Sequence, residues 1–460
     1  MAQETLAVGW DRIAIRILAR TLRLVALLLV LAGYFFSPAI GQDVLPGERD
    51  AWLWPFTPTS IWNHPIGNDA IYEPANLRAA AHVGVDTQHI LELNASDPLR
   101  PALGTTTFGP GRCDGTEPIG VSLNIPDDWL VPDAGNSPYG GTPNSNFAFR
   151  LPDSDTVFEG SLVSRCVAGG PVHLPDWMKW PANRWRQDLR SDGFDGGGQG
   201  ASRMSALGGT LRLGELVGRE PIRHVLKINP WCQRYCYYSA SLPGFKWPAR
   251  SADNYAATGY RGTDPNLVMG ALFAIPPEVT EASLGLQTEA GRKLFFTMQN
   301  YGVYFTEDAA WDTWDLIVER HAEIEFEQAY GFSMNSTRWR NEINKLMQAL
   351  HVVTNNSALS IGGGGAPRQP LAPAFSDGSA TQVETPRAEA PAVTAYPNPL
   401  IGNTLYLSQP ADVQVYTING VRVAQGNNVS SIDLGDVASG LYLVRVSTLQ
   451  GVAHVPVIRQ

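Results

Sequence analysis

The sequence predicts a mainly β protein with some helix. It predicts a large β-sandwich or jelly-roll-like domain with attached helices, plus a small C-terminal Ig-like β-sandwich. Three observations carry this. The first half of the body is broken by Pro and Gly into short apolar runs. Helical spacing of apolar residues appears only late, in two stretches. The C-terminal segment alternates apolar and polar residues around an Asn-Gly pair.

In chain order, Gly120–Ile125 and Phe147–Leu151 read as strands, as do Leu207–Leu216, Ile222–Ile228, Gly270–Ile275 and Val303–Phe305. Leu294, Phe295, Met298 and Tyr301 share one face of a helix opening at Thr288-Glu289. Trp339, Ile343, Leu346, Met347 and Leu350 mark a second helix over 336–350. Gly362–Gly365 then open a segment rich in Pro, Ala, Ser and Glu with few apolar anchors, which reads as a flexible linker. The expected division is 1–41 signal peptide, 42–360 large globular domain, 361–393 linker and 394–460 C-terminal domain.

The tail carries the most specific pattern. Val413 and Val415 alternate, Leu441–Val446 is dense in β-formers, and Asn419-Gly420 suits a tight hairpin because both positions tolerate positive φ. Tyr396-Pro397-Asn398-Pro399 opens this segment, the Val415-to-Gly420 hairpin follows, and Ser439-Gly440-Leu441-Tyr442-Leu443-Val444-Arg445-Val446 and a closing apolar strand complete it. These elements in this order resemble the C-terminal sorting domain of type IX secretion cargo, a family of the Bacteroidetes. The resemblance covers about 394–460. It implies recognition by the outer-membrane translocon and then release or surface attachment. Pro456 in the last strand departs from the family pattern, and proline suits an edge strand.

The N-terminus agrees with export. Arg12, Arg16, Arg20 and Arg23 precede the apolar run Leu24–Phe36, followed by small residues near Gly41. That is the pattern of a secretory signal peptide, with an uncleaved signal anchor as the alternative. Removing 1–41 takes away four Arg, Glu4 and Asp11 and moves the net charge from −10 to −12. An acidic chain without a basic patch argues against a nucleic-acid partner. Cys113, Cys166, Cys232 and Cys236 make an even count, which in an exported protein suggests disulfides; three pairings are possible.

Candidate chemistry lies in three places. Gly196–Thr210 is glycine-rich, a ligand-lining loop or simply a turn-rich entry to a strand; Arg203 lies within it, and it matches neither a Walker loop nor a nucleophile elbow. Next, alternation over Leu211–Leu216 puts Glu215 opposite Arg212. If paired strands bring Glu215 near His224 or Lys227, an acid–base cluster results, of the kind a polysaccharide lyase needs. A hydrogen-bonded sheet histidine is the plainer account of His224. Third, Glu307–Asp315 holds four carboxylates and two Trp after a probable strand. Asp308 and Asp312 could be an acid pair with Trp311 and Trp314 as a sugar platform. The same oxygens could hold calcium, or the loop could be a solvated acidic turn. The stretch Ser205–Leu216 followed by His224–Ile228 resembles uncharacterised secreted bacterial proteins and implies no activity. These features point to an exported protein whose large domain acts on extracellular polysaccharide. The alternative is a carbohydrate-binding, adhesive or structural surface protein. No serine-, cysteine- or metallopeptidase signature is present.

Overall fold

A computed structural model of the chain describes residues 44–375, except 46, 135–143, 153 and 180–184, and residues 394–459, except 418–421 and 449–450. The signal peptide, most of the linker and the Asn419-Gly420 turn lie outside the described residues. The chain is mainly β with some helix.

The body is built on a ten-stranded mixed sheet. In spatial order its strands are Tyr72–Pro74, His351–Val353, Leu272–Ala274, Val303–Phe305, Leu226–Pro230, Thr313–Glu319, His82–Glu92, Phe147–Arg150, Thr156–Gly160 and Arg186–Asp188. The central pairs are parallel where Leu226–Pro230 meets Val303–Phe305 and where His82–Glu92 meets Thr313–Glu319 and Phe147–Arg150. One face is dry. Val83, Ile228, Phe305, Trp314, Leu316 and Val318 bury against helices Glu289–Asn300, Ala322–Tyr330 and Thr337–Ala349, through Leu294, Phe326, Trp339 and Leu346. The two long helices start where caps dictate. Thr288 accepts from the Gly291 N–H and Ser336 from the Trp339 N–H. At the far end, a three-stranded sheet of Pro118–Asn124, Leu99–Thr105 and Val172–Pro175 shares one core with Phe147, Phe149 and Phe158 of the large sheet, a sandwich arrangement.

Two disulfides form: Cys113–Cys166 spans 53 residues, and Cys232–Cys236 closes a loop with a separation of 4. The C-terminal module is five-stranded, with Thr404–Thr417 pairing antiparallel to Arg422–Asp433 and Gly440–Thr448. Pro456 lies in the last strand, Gly451–Arg459, which ends the sheet order, so its missing N–H costs no ladder bond to a further strand. The module touches the body. Arg445 is buried and pairs with Asp195 at 3.1 Å and Asp192 at 3.6 Å, and Tyr416 meets Phe194 edge to face.

Three expectations need correction. Leu207–Leu216 is not a strand: it makes a single bridge, Leu211 to Val318, and turns at Gly214, whose φ is +83°. The following strand starts at Leu226, not Ile222. The segment 361–375 packs on the body: Leu371, Ala372 and Phe375 are buried, and Ala374–Phe375 pairs with Glu48–Arg49. Its glycines permit that approach, since a Cβ on Gly363 would sit 2.7 Å from the Ala70 Cα. Helix Ala322–Tyr330 was not anticipated. It rests on Ala322 and Phe326, too few apolar residues to show a period.

Candidate functional site

A sheet covered on both faces should read as nearly continuous apolar strands. Here alternate residues break that rule. Gly84, Asp86 and Gln88 on one strand, Thr313 and Asp315 on the next, and Lys227 and Asn229 on the third all point away from the helices. Register makes them neighbours. Asp315 lies opposite both Gly84 and Asn229, with Asp86 one same-face step further along. Buried polar groups require partners, and each has one. Asp86 is 8% exposed and accepts from Asn229 Nδ2 at 3.0 Å and Asn144 Nδ2 at 3.2 Å. Asp315 accepts from Thr313 Oγ1 at 2.9 Å. Its carboxylate overhangs Gly84, where an added Cβ would stand 2.6 Å from Oδ1.

A cavity of about 330 Å³ opens over this row. Asp86, Asp315, Asn229 and Asn144 line it, with Asp308 and Trp311 on one side and Arg340 on another. Trp311 is 48% exposed at this cavity. Asp308 accepts from the Cys232 N–H at 2.7 Å and from Tyr255 OH at 3.0 Å.

Burial raises the proton affinity of every carboxyl in the cluster. Burial pushes Asp86 up to about 6, opposed by the bonds from Asn144 and Asn229 and by the Lys227 charge. Burial pushes Asp315 up to about 7; a single hydroxyl bond opposes this, and the Asp86 charge adds to it. Asp308 rises to about 6, chiefly by burial. Glu307 rises well above the carboxylate range through burial, then Asp253 and Asp86. It sits behind the cavity, accepting from the Gly200 N–H at 3.0 Å. The arrangement gathers carboxyls whose proton affinities are all raised toward neutrality, the range in which general acid–base groups work.

The sequence-predicted residues divide. Asp308 and Trp311 join the cavity. Trp314 does not: it is fully buried in the helical core, stacked on Tyr235, so no ligand can meet its ring. Asp312 turns outward to Arg234 at 3.3 Å. The acidic segment therefore diverges instead of converging on an ion. Among the described residues no group of three or more acidic, His or Cys side chains could hold a metal.

Glu215 does meet His224, at 3.0 Å, but through the turn and not through paired strands. Burial alone would lower His224 and raise Glu215. Their mutual attraction outweighs it, leaving His224 raised and Glu215 lowered. His224 faces only a crevice of about 20 Å³, too small for a sugar. Arg212 is tied to Glu319 at 2.7 Å, away from the cavity, and Arg203 is an exposed residue with φ +56°. Lys227 is buried beneath the glycine-rich loop, donating to the carbonyls of Ser205 and Ala206 at 2.8 Å each. The loop thus caps a lysine, and Leu207–Thr210 at its end line the small crevice beside His224. Asp86, Asn144, Asn229 and Asp315 were missed as a group. Asn229 does carry a signal: it is a polar residue between Ile228 and Pro230 in a central strand.

Comparison with known proteins decides the tail. The model for the secretion system C-terminal sorting domain matches residues 394–458. The C-terminal module is a type IX sorting domain. It implies interaction with the type IX secretion machinery and a secreted or cell-surface location. Among the described residues no helix is long and apolar enough to cross a membrane. A stretch of 132 residues, 29% of the chain, is 23% identical to cytochrome P450 monooxygenase tpcB of Cochliobolus heterostrophus. The chain spans about a quarter of that protein's length. P450 haem is held by a cysteine thiolate, and all four cysteines here are in disulfides, so the residues do not fit that group.

Proposed function

We propose that the exported body is an enzyme that hydrolyses extracellular polysaccharide, with Asp315 as general acid and Asp86 as general base. The carrying observation is two carboxyls on adjacent strands of one open cavity, both raised toward neutrality by burial. Asp315 leans over Gly84, two residues from Asp86, so both side chains rise from one face of the cavity floor a single same-face step apart. Inverting glycoside hydrolysis uses two such carboxyls, one as acid and one as base toward a water. Asp315 donates its proton to the glycosidic oxygen as the C1–O bond breaks. Asp86 takes a proton from the water that attacks C1 from the other side. Trp311 offers a ring face for a sugar.

The half-exposed Trp311 also suits a non-catalytic carbohydrate-binding protein, and one experiment separates the two. The exported chain is incubated with a panel of polysaccharides while reducing ends and unsaturated uronates are measured. Product that disappears in both Asp315→Asn and Asp86→Asn supports hydrolysis. Product indifferent to both variants overturns it. Binding lost in Trp311→Ala, with no product from any glycan, establishes the binding protein instead.

A further inference from the structure

We infer that Arg340 makes the cavity selective for an acidic glycan, by pairing its guanidinium with the carboxylate of a uronate unit. This rests on the cavity being a glycan site, as proposed above. Arg340 stands in the first turn of helix Thr337–Ala349 and lines the cavity together with Asp86, Asp308 and Asp315. Its recorded partners are neutral: Nη1 donates to the Ala81 carbonyl at 3.0 Å, and Nη2 reaches the Thr337 hydroxyl at 3.5 Å. Among the described residues no carboxylate lies within ion-pairing distance of it, although three carboxylates line the same space.

A guanidinium carries five N–H donors, and two neutral acceptors leave most of them unused. It is always charged, so its charge in this cavity lacks a counter-ion. The other cavity cations do not compete for the role, since Lys227 lies below the floor with its ammonium on two carbonyls. The planar fork matches a carboxylate through two parallel bonds. Burial raises Asp315 to about 7, so part of its negative charge is removed near neutral pH, which reduces the repulsion such a substrate meets. The chain is acidic as a whole, −10, which opposes an anionic polymer, and a cation inside the cavity offsets that opposition locally.

The test compares polygalacturonate with the same polymer after its carboxyls are reduced to alcohols, and with a sulfated neutral glycan. Initial rates and oligomer binding by calorimetry are both measured. Arg340→Gln should raise KM and Kd for the uronate polymer about 10- to 100-fold, the worth of a charge-assisted pair, and leave the reduced polymer unchanged. Arg340→Lys should restore part of the loss. Melting temperature should stay at the wild-type value, because the Ala81 contact is one surface bond. Equal weakening on charged and reduced polymers overturns the inference. So does a wild type that cleaves or binds only neutral or sulfated glycans, while Asp315-dependent cleavage of a neutral glycan would still uphold the hydrolase reading. Arg340-dependent uronate binding with no cleavage of any glycan upholds Arg340 and sinks the hydrolase.

Discussion

Gly84→Ala should silence the site without loosening the fold. The added methyl would stand 2.6 Å from Asp315 Oδ1, against the 3.4 Å at which ordinary contact begins. Asp315 must therefore withdraw by about 0.8 Å. Nothing rigid blocks the change, since the next atoms are the rest of that carboxyl and Thr313 Oγ1 at 3.9 Å. Backbone geometry at Gly84 is that of an ordinary strand, so alanine fits, and it removes the entropy cost of glycine, roughly 0.5–1 kcal/mol. Melting temperature should hold or rise slightly. A displacement near 1 Å at a reacting group costs on the order of 100-fold. Reducing-end release by purified protein, paired with thermal melts by circular dichroism, reads both quantities. A variant that melts normally and cleaves within threefold of wild type would refute the role given to Asp315.

Other outcomes follow from the same geometry. Raised carboxyls stabilise the fold only while protonated, so the contribution of Asp86, Asp308 and Asp315 is complete below about pH 4 and is lost as pH climbs through 6 to 7. Thermal melts should show a fall in stability between about pH 4 and 7, and Asp315→Asn should shrink that fall. His224, also raised, adds stability that is present below about 6.5 and disappears as pH passes its folded value. His224→Gln should flatten the curve above pH 6 and leave glycan turnover near wild type; a large loss of turnover would put that histidine back among the catalytic groups. Trp339→Ala, at a fully buried position under the sheet, should cost about 3–5 kcal/mol by urea titration. Deleting 394–460 should strand the protein inside the cell, measured by blotting medium and surface fractions.

Much of the architecture was legible because it rests on local signals. Thr288 and Ser336 cap the helices at the residues where apolar spacing begins. The tail strands pair as their alternation requires, Val413 opposite Val446 and Val415 opposite Val444. Leu207–Leu216 misled because its leucines and threonine mimic a strand, while Gly208, Gly209 and Gly214 let the chain turn instead. The site was harder to see for a physical reason. Its floor is assembled from strands 82–92, 226–230 and 313–319, so Asp86 and Asp315 meet only through a register that no single segment encodes. Asp308 and Trp311 were visible because one short acidic, aromatic stretch carries both. Trp314, three residues on from Trp311, points to the opposite side of the sheet edge into the helical core.

The small Cys232–Cys236 loop has a bearing on when this protein becomes competent. Its first cysteine supplies the N–H that steadies Asp308, so one wall of the cavity is stapled by a covalent link that reducing cytosol does not permit. A freshly made chain still indoors holds that wall with an open thiol pair. Departure from that reducing interior, which comes before the sorting module acts, is what welds it shut.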